Sequence, residues 1–194
     1  DFTGIHATNK RLTASKNAGS IIRQNSPVGI LKYEYKEKIY TIIDVPGTYS
    51  LTPHSKEECV SRDFLCFSEY DKILIVCDAT SLERNLYLTT QIMEIDVPVV
   101  VALNMMDMLE KQGDSIDEKR LEQRLGVPVI KISAFKGEGL DELMDRTIEF
   151  SKNARKGVSV LEGGELEHLI GDVKIALEGQ GVESSLFHAV KLVE

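Results

Sequence analysis

Residues 98–107 read PVVVALNMMD, a run of apolar residues that ends in an asparagine and an aspartate. A strand that is apolar on both faces is typical of a parallel sheet covered by helices on both sides. Residues 73–77 and 127–132 have the same character, one segment on each side of this run in the sequence. The three segments therefore predict three buried parallel strands.

Segments with helical spacing alternate with these strands. Thr80-x-x-Glu83 and Ser115-x-x-Glu118 have the pattern of a capping box, in which the first residue caps a helix. We therefore expect one helix to begin at Thr80 and another at Ser115, with the second ending at Gly126. A closing helix is expected from an apolar stripe formed by Leu140, Leu143, Met144 and Ile148.

An antiparallel hairpin is expected upstream of the buried strands. Apolar and polar residues alternate over residues 31–35, and a second strand pattern covers residues 39–43 after a short polar turn. Strands that alternate with helices predict an α/β fold with a mostly parallel sheet and helices on both faces.

The composition is that of a globular chain that binds neither nucleic acid nor anionic lipid through a basic surface. The formal net charge is -8, whereas non-specific nucleic-acid binding uses a clustered basic face. The three cysteines, Cys59, Cys66 and Cys77, form no C-x-x-C pair, which favours a reducing compartment, with Cys77 as a buried thiol. The longest apolar stretch, residues 97–106, falls short of the roughly 20 residues that cross a bilayer.

We expect residues 1–152 to form one domain and residues 153–194 to be part of a helical appendage. Residues 1–29 are polar and irregular, which is typical of a long mobile loop. A weaker helical pattern covers residues 166–173, and an apolar run over residues 186–193 continues to the last residues of the chain.

The first candidate site residues are in Asp44-Val-Pro-Gly47, directly after the second hairpin strand. In nucleotide switches an aspartate at this point reaches Mg²⁺ through water, and a glycine three residues later lets its N–H approach the terminal phosphate. An ordinary turn at a strand end is the alternative for this motif taken alone.

Asn104-Met-Met-Asp107 follows the second buried strand. The carboxylate of Asp107 can accept hydrogen bonds from N1–H and N2–H₂ of guanine, which adenine does not supply, and Asn104 would tie neighbouring loops together. Such a bidentate pair discriminates by about 1–3 kcal/mol, by analogy with base readout in nucleic acids. Two turn residues at a strand end are again the alternative.

Ser133-Ala134 follows the third buried strand, and the N–H of Ala134 can donate to guanine O6. The alternative is a strand-to-helix turn that needs small residues. The three motifs together, each at a strand end where open α/β sheets bind ligands, predict a GTP-binding domain that uses Mg²⁺ with GTP or GDP.

The motifs resemble those of the ferrous iron transporter FeoB family. Residues 44–51 (DVPGTYSL) are similar to that family's third G motif, residues 78–88 (DATSLERNLYL) to its segment after the fourth core strand, and residues 102–107 (ALNMMD) to its guanine motif. The resemblance covers roughly residues 28–150, and residues 186–193 more weakly resemble a helix of the family's helical spacer domain.

The resemblance implies a Ras-like fold of the P-loop NTPase class on the cytoplasmic face of the cell membrane. It implies GTP binding and slow hydrolysis coupled to Fe(II) import, with the C-terminal membrane domain of the same protein as a partner. Met105 stands where most G proteins have lysine and would pack its thioether over the base. No residue is assigned as a general base, because positioning and electrostatics dominate phosphoryl transfer in this class.

Two features depart from the family pattern. The 194 residues contain no G-x-x-x-x-G-K-[ST] motif, so the first strand and the phosphate-binding loop would precede Asp1, and the lost strand would lie between residues 39–43 and residue 73. In the switch I region, Asn17-Ala-Gly-Ser-Ile-Ile22 replaces the family's pattern, so that Ser20, or alternatively Thr13, is the candidate magnesium hydroxyl.

Three functional hypotheses remain open at this stage. The first is the FeoB-like GTPase domain, and the second is a degenerate module that acts by protein contact without hydrolysis. The third, an RNA-associated GTPase of ribosome assembly, is disfavoured by the acidic balance and by Met105. A monomer and a homo-oligomer both remain compatible with the sequence.

Overall fold

A computed structural model of the chain describes residues 28–52, 55–150 and 164–193. The strands are β1 (Gly29–Tyr35), β2 (Lys38–Asp44), β3 (Ile73–Asp78), β4 (Val99–Asn104) and β5 (Val129–Lys131). The helices are α1 (Lys56–Phe67), α2 (Leu82–Met93), α3 (Met106–Lys111), α4 (Glu118–Leu125), α5 (Leu140–Glu149), α6 (Glu165–Gly179) and α7 (Ser185–Val193).

The described strands form two sheets. β1 and β2 are an antiparallel hairpin in which Gly29 pairs with Asp44, and β3, β4 and β5 form a parallel sheet in that order. The hairpin and the three buried strands predicted from the sequence are confirmed, although β5 is only three residues long. Among the described residues no strand joins β2 to β3, which is where the family resemblance puts a further strand.

Helices cover both faces of the parallel sheet. Ile75 and Cys77 of β3 pack in one apolar cluster with side chains of α1, α2 and α3, whereas Val76 packs on the opposite face with Leu143 of α5. This alternation follows from the period of two along a strand. The predicted α/β class with helices on both faces is confirmed. Burial also raises the pKa of the Cys77 thiol to about 11.

The hairpin packs against α5. Tyr40 and Met144 form a small apolar cluster, and the Tyr35 hydroxyl donates to Asp145 Oδ1 at 3.0 Å. Lys36 Nζ donates to the same oxygen at 2.5 Å, and this bond lowers the pKa of the Asp145 carboxyl. The turn end of the hairpin is therefore attached to α5 by both polar and apolar contacts.

The helix that we expected to begin at Thr80 begins differently. Asp78 Oδ1 accepts hydrogen bonds from the backbone N–H of Thr80 at 2.9 Å and from its hydroxyl at 2.7 Å, and residues 79–81 form a turn of 3₁₀ helix. The predicted capping box at Thr80 is therefore wrong. Asp78, two residues earlier, accepts the hydrogen bond from the Thr80 N–H instead, as short acidic side chains often do.

The helix expected to begin at Ser115 also has another cap. Asp117 Oδ1 accepts from the backbone N–H of Arg120 at 3.0 Å, so the helix begins two residues later than predicted. The expected end of this helix is confirmed, because Gly126 is left-handed with φ 66 and its N–H donates to Glu122 O at 2.7 Å.

α6 and α7 lie in the range that we expect to be a helical appendage, and they pack together through Ile170, Leu186 and Ala189. Phe187 of α7 is part of the main apolar cluster, and Lys191 Nζ donates to Thr52 Oγ1 at 3.1 Å. The predicted boundary at residues 152 and 153 lies outside the described residues. In the portion that the structure describes, none of the helices is both long and apolar enough to cross a membrane.

Candidate functional site

The loops after β4 and β5 lie side by side at the carboxyl edge of the parallel sheet. Asp78 is the register partner of Asn104, and Leu103 is the partner of Lys131. Because parallel strands end at the same edge, residues that follow β4 and β5 meet there. This edge therefore collects Asn104, Asp107, Ser133 and Ala134.

The Asn104 side chain connects these two loops. Its Oδ1 atom accepts a hydrogen bond from the backbone N–H of Met105 at 2.8 Å and another from the N–H of Ala134 at 3.0 Å. The amide that the sequence assigns to guanine O6 is thus already directed at an oxygen acceptor. A base oxygen would have to share or replace Asn104 Oδ1 as the acceptor of this N–H.

Asp107 and Ser133 form a second connection between the loops. Asp107 lies in the first turn of α3 and is only 7% exposed, and its Oδ1 accepts from the Ser133 hydroxyl at 2.9 Å. Ser133 is itself buried, so this bond is shielded from water. The carboxylate is consequently held in one orientation.

Met105 lies between Asn104 and α3 in a left-handed backbone conformation, with φ 66 and ψ 28. A left-handed conformation is uncommon for a residue with a side chain. Here it reverses the chain between β4 and α3, with the Met105 side chain half-buried.

The loop after β5 is closed by its own backbone. Ser133 N–H donates to Glu138 O at 3.0 Å, and Glu138 N–H donates back to Ser133 O at 3.1 Å. Gly139 follows with φ +76, and a Cβ placed there would lie 2.3 Å from Lys131 O, so only glycine fits. Phe135 projects from this loop and is 93% exposed.

Asp44 and Gly47 belong to the other sheet. Asp44 is the last residue of β2 and is exposed, as is Gly47, whereas Val45 between them is buried in the main apolar cluster. Ser61 of α1 donates from its hydroxyl to Pro46 O at 2.5 Å and so fixes this loop.

The segment after Gly47 is attached to α2. Gln91 is 6% exposed, and its Oε1 accepts from Leu51 N–H at 2.8 Å and from the Ser50 hydroxyl at 3.2 Å. The Arg84 guanidinium lies 3.7 Å from the centre of the Tyr49 ring, in a cation–π contact. Sequence analysis missed Gln91, because a glutamine within a helix carries no motif that signals this role.

The candidate site residues thus fall into two groups. Asn104, Met105, Asp107, Ser133 and Ala134 are brought together by the parallel sheet, and Asp44 and Gly47 are held by the hairpin and α1. Ser20 and Thr13 lie outside the described residues. Within the described ranges, no three His, Cys, Asp or Glu side chains lie close enough together to hold a metal ion by protein ligands alone.

The known proteins that are similar in sequence to this chain include Fe(2+) transport proteins. A fusion protein of Fe(2+) transport protein A and Fe(2+) transporter FeoB from Porphyromonas gingivalis is 47% identical over 116 residues, which is 59% of this chain and 14% of that protein. This chain therefore spans only about a seventh of that relative's length.

Solved structures of the same family share the fold. The cytosolic domain of the T. maritima FeoB iron transporter in its GMPPNP form matches with a TM-score of 0.86 and 27% identity. The match covers 98% of this chain and 80% of the T. maritima chain. The mGMPPNP-bound NFeoB of S. thermophilus has a TM-score of 0.82 and 35% identity, and covers 98% of this chain and 76% of that one.

The family model of ferrous iron transport protein B matches residues 24–147, which include every candidate site residue except Thr13 and Ser20. The fold, with its parallel sheet and paired loops at the carboxyl edge, agrees with that match. This chain belongs to the family of ferrous iron transport protein B, in the portion that forms its G domain.

Proposed function

We propose that this chain binds GTP and GDP as the guanine-nucleotide domain of a ferrous iron transporter. In the full-length protein, nucleotide binding and slow hydrolysis would regulate Fe(II) uptake through a C-terminal membrane domain. The observation that carries the proposal is the pair of connections between the loops after β4 and β5, from Ala134 to Asn104 and from Ser133 to Asp107. Two relatives are solved with GMPPNP or mGMPPNP, which supports a guanine nucleotide as the ligand.

Recognition of the base is assigned to Asp107 and Ala134. A carboxylate has about four lone-pair sites, so accepting from Ser133 leaves Asp107 capacity for N1–H and N2–H₂ of guanine. Guanine O6 would accept from the N–H of Ala134, and the Met105 thioether would pack on the base. Adenine presents the opposite donor and acceptor pattern at these positions, so the arrangement favours guanine.

The phosphate end is assigned to Asp44 and Gly47, with Mg²⁺ as the cofactor. An exposed carboxylate at the end of β2 fits this hard cation, which prefers oxygen ligands and keeps several waters. Bound there, Mg²⁺ neutralises charge on the terminal phosphates. Asp44 would orient the ion through a water molecule, the Gly47 N–H would donate to the terminal phosphate, and Ser20 is the candidate for a magnesium hydroxyl.

The domain organisation is part of the same proposal. Residues 1–152 would form the G domain, and residues 153–194 would begin the helical spacer that leads to the membrane domain. Because the solved relatives are cytosolic domains, this portion would lie on the cytoplasmic face of the membrane. Nucleic acid is not expected as a partner, given the net charge of -8.

A second candidate function is a module that binds nucleotide or protein without hydrolysis. It would use the same paired loops to hold the base, and the 194 residues contain no G-x-x-x-x-G-K-[ST] motif. The lysine and amides of that motif make charge-assisted bonds to phosphate, worth about 1.5–3 kcal/mol each. We therefore expect these residues by themselves to bind GDP far more weakly than an intact G domain does.

The test is the substitution Asp107→Asn, measured with GDP and xanthosine diphosphate. Asparagine replaces one acceptor oxygen by an N–H₂ donor, which pairs with the xanthine 2-oxo group. Preference should shift towards xanthine by roughly 5- to 150-fold, which corresponds to the 1–3 kcal/mol of a bidentate pair. Titration calorimetry with magnesium present measures it.

Asp114→Asn is the matched control, because Asp114 is exposed just beyond α3 and should leave the preference unchanged. Unchanged base preference in Asp107→Asn would remove Asp107 from the assigned role. Absence of any GDP binding by the wild-type chain at millimolar nucleotide would contradict the proposed function as a whole.

A further inference from the structure

We propose that Phe135 is a stacking platform for the purine, so that its ring covers one face of the base that Asp107 recognises by its edge. This inference rests on the proposed function and extends it. It names a residue that determines how tightly the base is held, beyond the motifs at the strand ends.

The exposure of Phe135 is the first observation. Its side chain is 93% exposed, the highest value among the large apolar side chains of the described residues, and Phe67 follows with 73%. A phenyl ring left in water contributes nothing to the core, since the hydrophobic effect rewards only area removed from water. Because the Phe135 ring is not packed in the core, its faces are accessible to a ligand.

The rigidity of the loop is the second observation. Residues 133 and 138 exchange two backbone hydrogen bonds, and Gly137 N–H donates to Ser133 O at 2.8 Å. Lys136 N–H donates to the buried Ser133 hydroxyl oxygen at 3.3 Å. Phe135 thus projects from a turn that is fixed on both sides. A preorganised ring loses little conformational freedom when a ligand stacks on it.

The position of Phe135 is the third observation. It directly follows Ala134, whose N–H meets the same Asn104 oxygen as the N–H of Met105. Ser133, two residues before Phe135, is bonded to Asp107. The loop that carries the exposed ring therefore includes the Ala134 amide and is bonded to Asp107, the two groups that we assign to the base edge.

The chemistry of the ring suits a purine. Aromatic side chains bind nucleobases through their π-faces, and such stacking tolerates different bases because every base has a π-face. Asp107 would then provide discrimination for guanine, whereas Phe135 would provide affinity that is shared by other purines.

The absence of tryptophan from the chain permits a direct test. Phe135→Trp introduces a single indole at the proposed platform, and indole fluorescence is quenched when the ring stacks on a nucleobase. We expect GDP titrated to millimolar concentration to quench this tryptophan. Phe67→Trp is the matched control at the end of α1, and its signal corrects for light absorbed by the nucleotide.

Affinity is measured by calorimetry in parallel. Phe135→Ala should bind GDP about tenfold more weakly than the wild type, with an unchanged ratio of GDP to xanthosine diphosphate affinity. Circular dichroism of each variant checks that the fold is retained, and because the side chain is exposed we expect no loss of stability. Phe67→Ala should leave GDP affinity unchanged.

The outcomes separate this inference from the function on which it rests. If the wild type binds GDP but Phe135→Trp is quenched no more than Phe67→Trp, the platform is refuted and the nucleotide site stands. Equal GDP affinity of Phe135→Ala and the wild type refutes it in the same way. If the wild type binds no GDP and neither tryptophan responds, both proposals fail.

Discussion

Gly139 gives a sharp test of how the loop after β5 is shaped. A Cβ placed on Gly139 would lie 2.3 Å from the carbonyl oxygen of Lys131, whereas a Cβ on Gly137 meets nothing within 4 Å. Both glycines have a positive φ of nearly the same value, +76 for Gly139 and +74 for Gly137. Gly137→Ala is therefore a control that carries the same backbone strain without the clash.

The expected magnitudes follow from these two contributions. A left-handed conformation costs a residue with a Cβ about 1–2 kcal/mol, and both variants should show this loss. The clash in Gly139→Ala involves backbone, which cannot rotate away, and overpacking of this kind costs about 1–3 kcal/mol more. A difference of that size corresponds to roughly 2–12 °C in melting temperature for a chain of this length.

Urea unfolding followed by circular dichroism measures both variants against the wild type. We expect the free energy of unfolding to fall modestly in Gly137→Ala and at least about 1 kcal/mol further in Gly139→Ala. In addition, a displaced loop should weaken GDP binding in Gly139→Ala. Equal stability of the two variants would show that Lys131 can move aside, and that the close approach does not determine the loop.

Two further predictions concern contacts away from the base. Gln91→Met should lower the free energy of unfolding by about 1–3 kcal/mol, because it leaves the Leu51 N–H buried without its acceptor. Gln123→Met, at an exposed position of α4, is the control. Equal urea midpoints of the two variants would contradict this prediction. For Asp145, the bond from Lys36 lowers the carboxyl pKa, so its stabilisation is present above the unfolded pKa and is lost as pH falls through the folded one. Asp145→Asn should therefore be less stable than the wild type at neutral pH, and the gap should close in acid; a gap that persists in strongly acidic urea titrations would refute the assignment.

The buried strands could be predicted from the sequence because each one is a continuous run of apolar residues. Residues 73–77 and 98–103 are apolar throughout, and helices cover both faces of the corresponding strands in the structure. The helix starts at Thr80 and Ser115 could not be read in this way. Asp78 accepts from the Thr80 amide of the first predicted box, and Asp117 accepts from the Arg120 amide and so starts the second helix later. The spacing rule does not rank one side-chain oxygen against another.

The candidate site likewise has features that local sequence predicts and features that depend on residues far apart in the chain. The positions of Asn104, Asp107 and Ala134 at strand ends were predictable, because a short motif at the end of a buried strand is a local pattern. The pairing of Ser133 with Asp107, and the convergence of two amides on Asn104 Oδ1, join residues about 26 to 30 positions apart. No pattern within one segment contains that information.

The sequence by itself determined the α/β class, the positions of the buried strands along the chain and the polar residues that terminate them, since each depends on near neighbours along the chain. Only the tertiary structure decided that the Ala134 amide faces Asn104, that Gln91 holds the segment after Gly47, and that Phe187 of α7 enters the main core. These features depend on which segments are packed together, and packing selects contacts by shape and by the need of buried polar groups for partners.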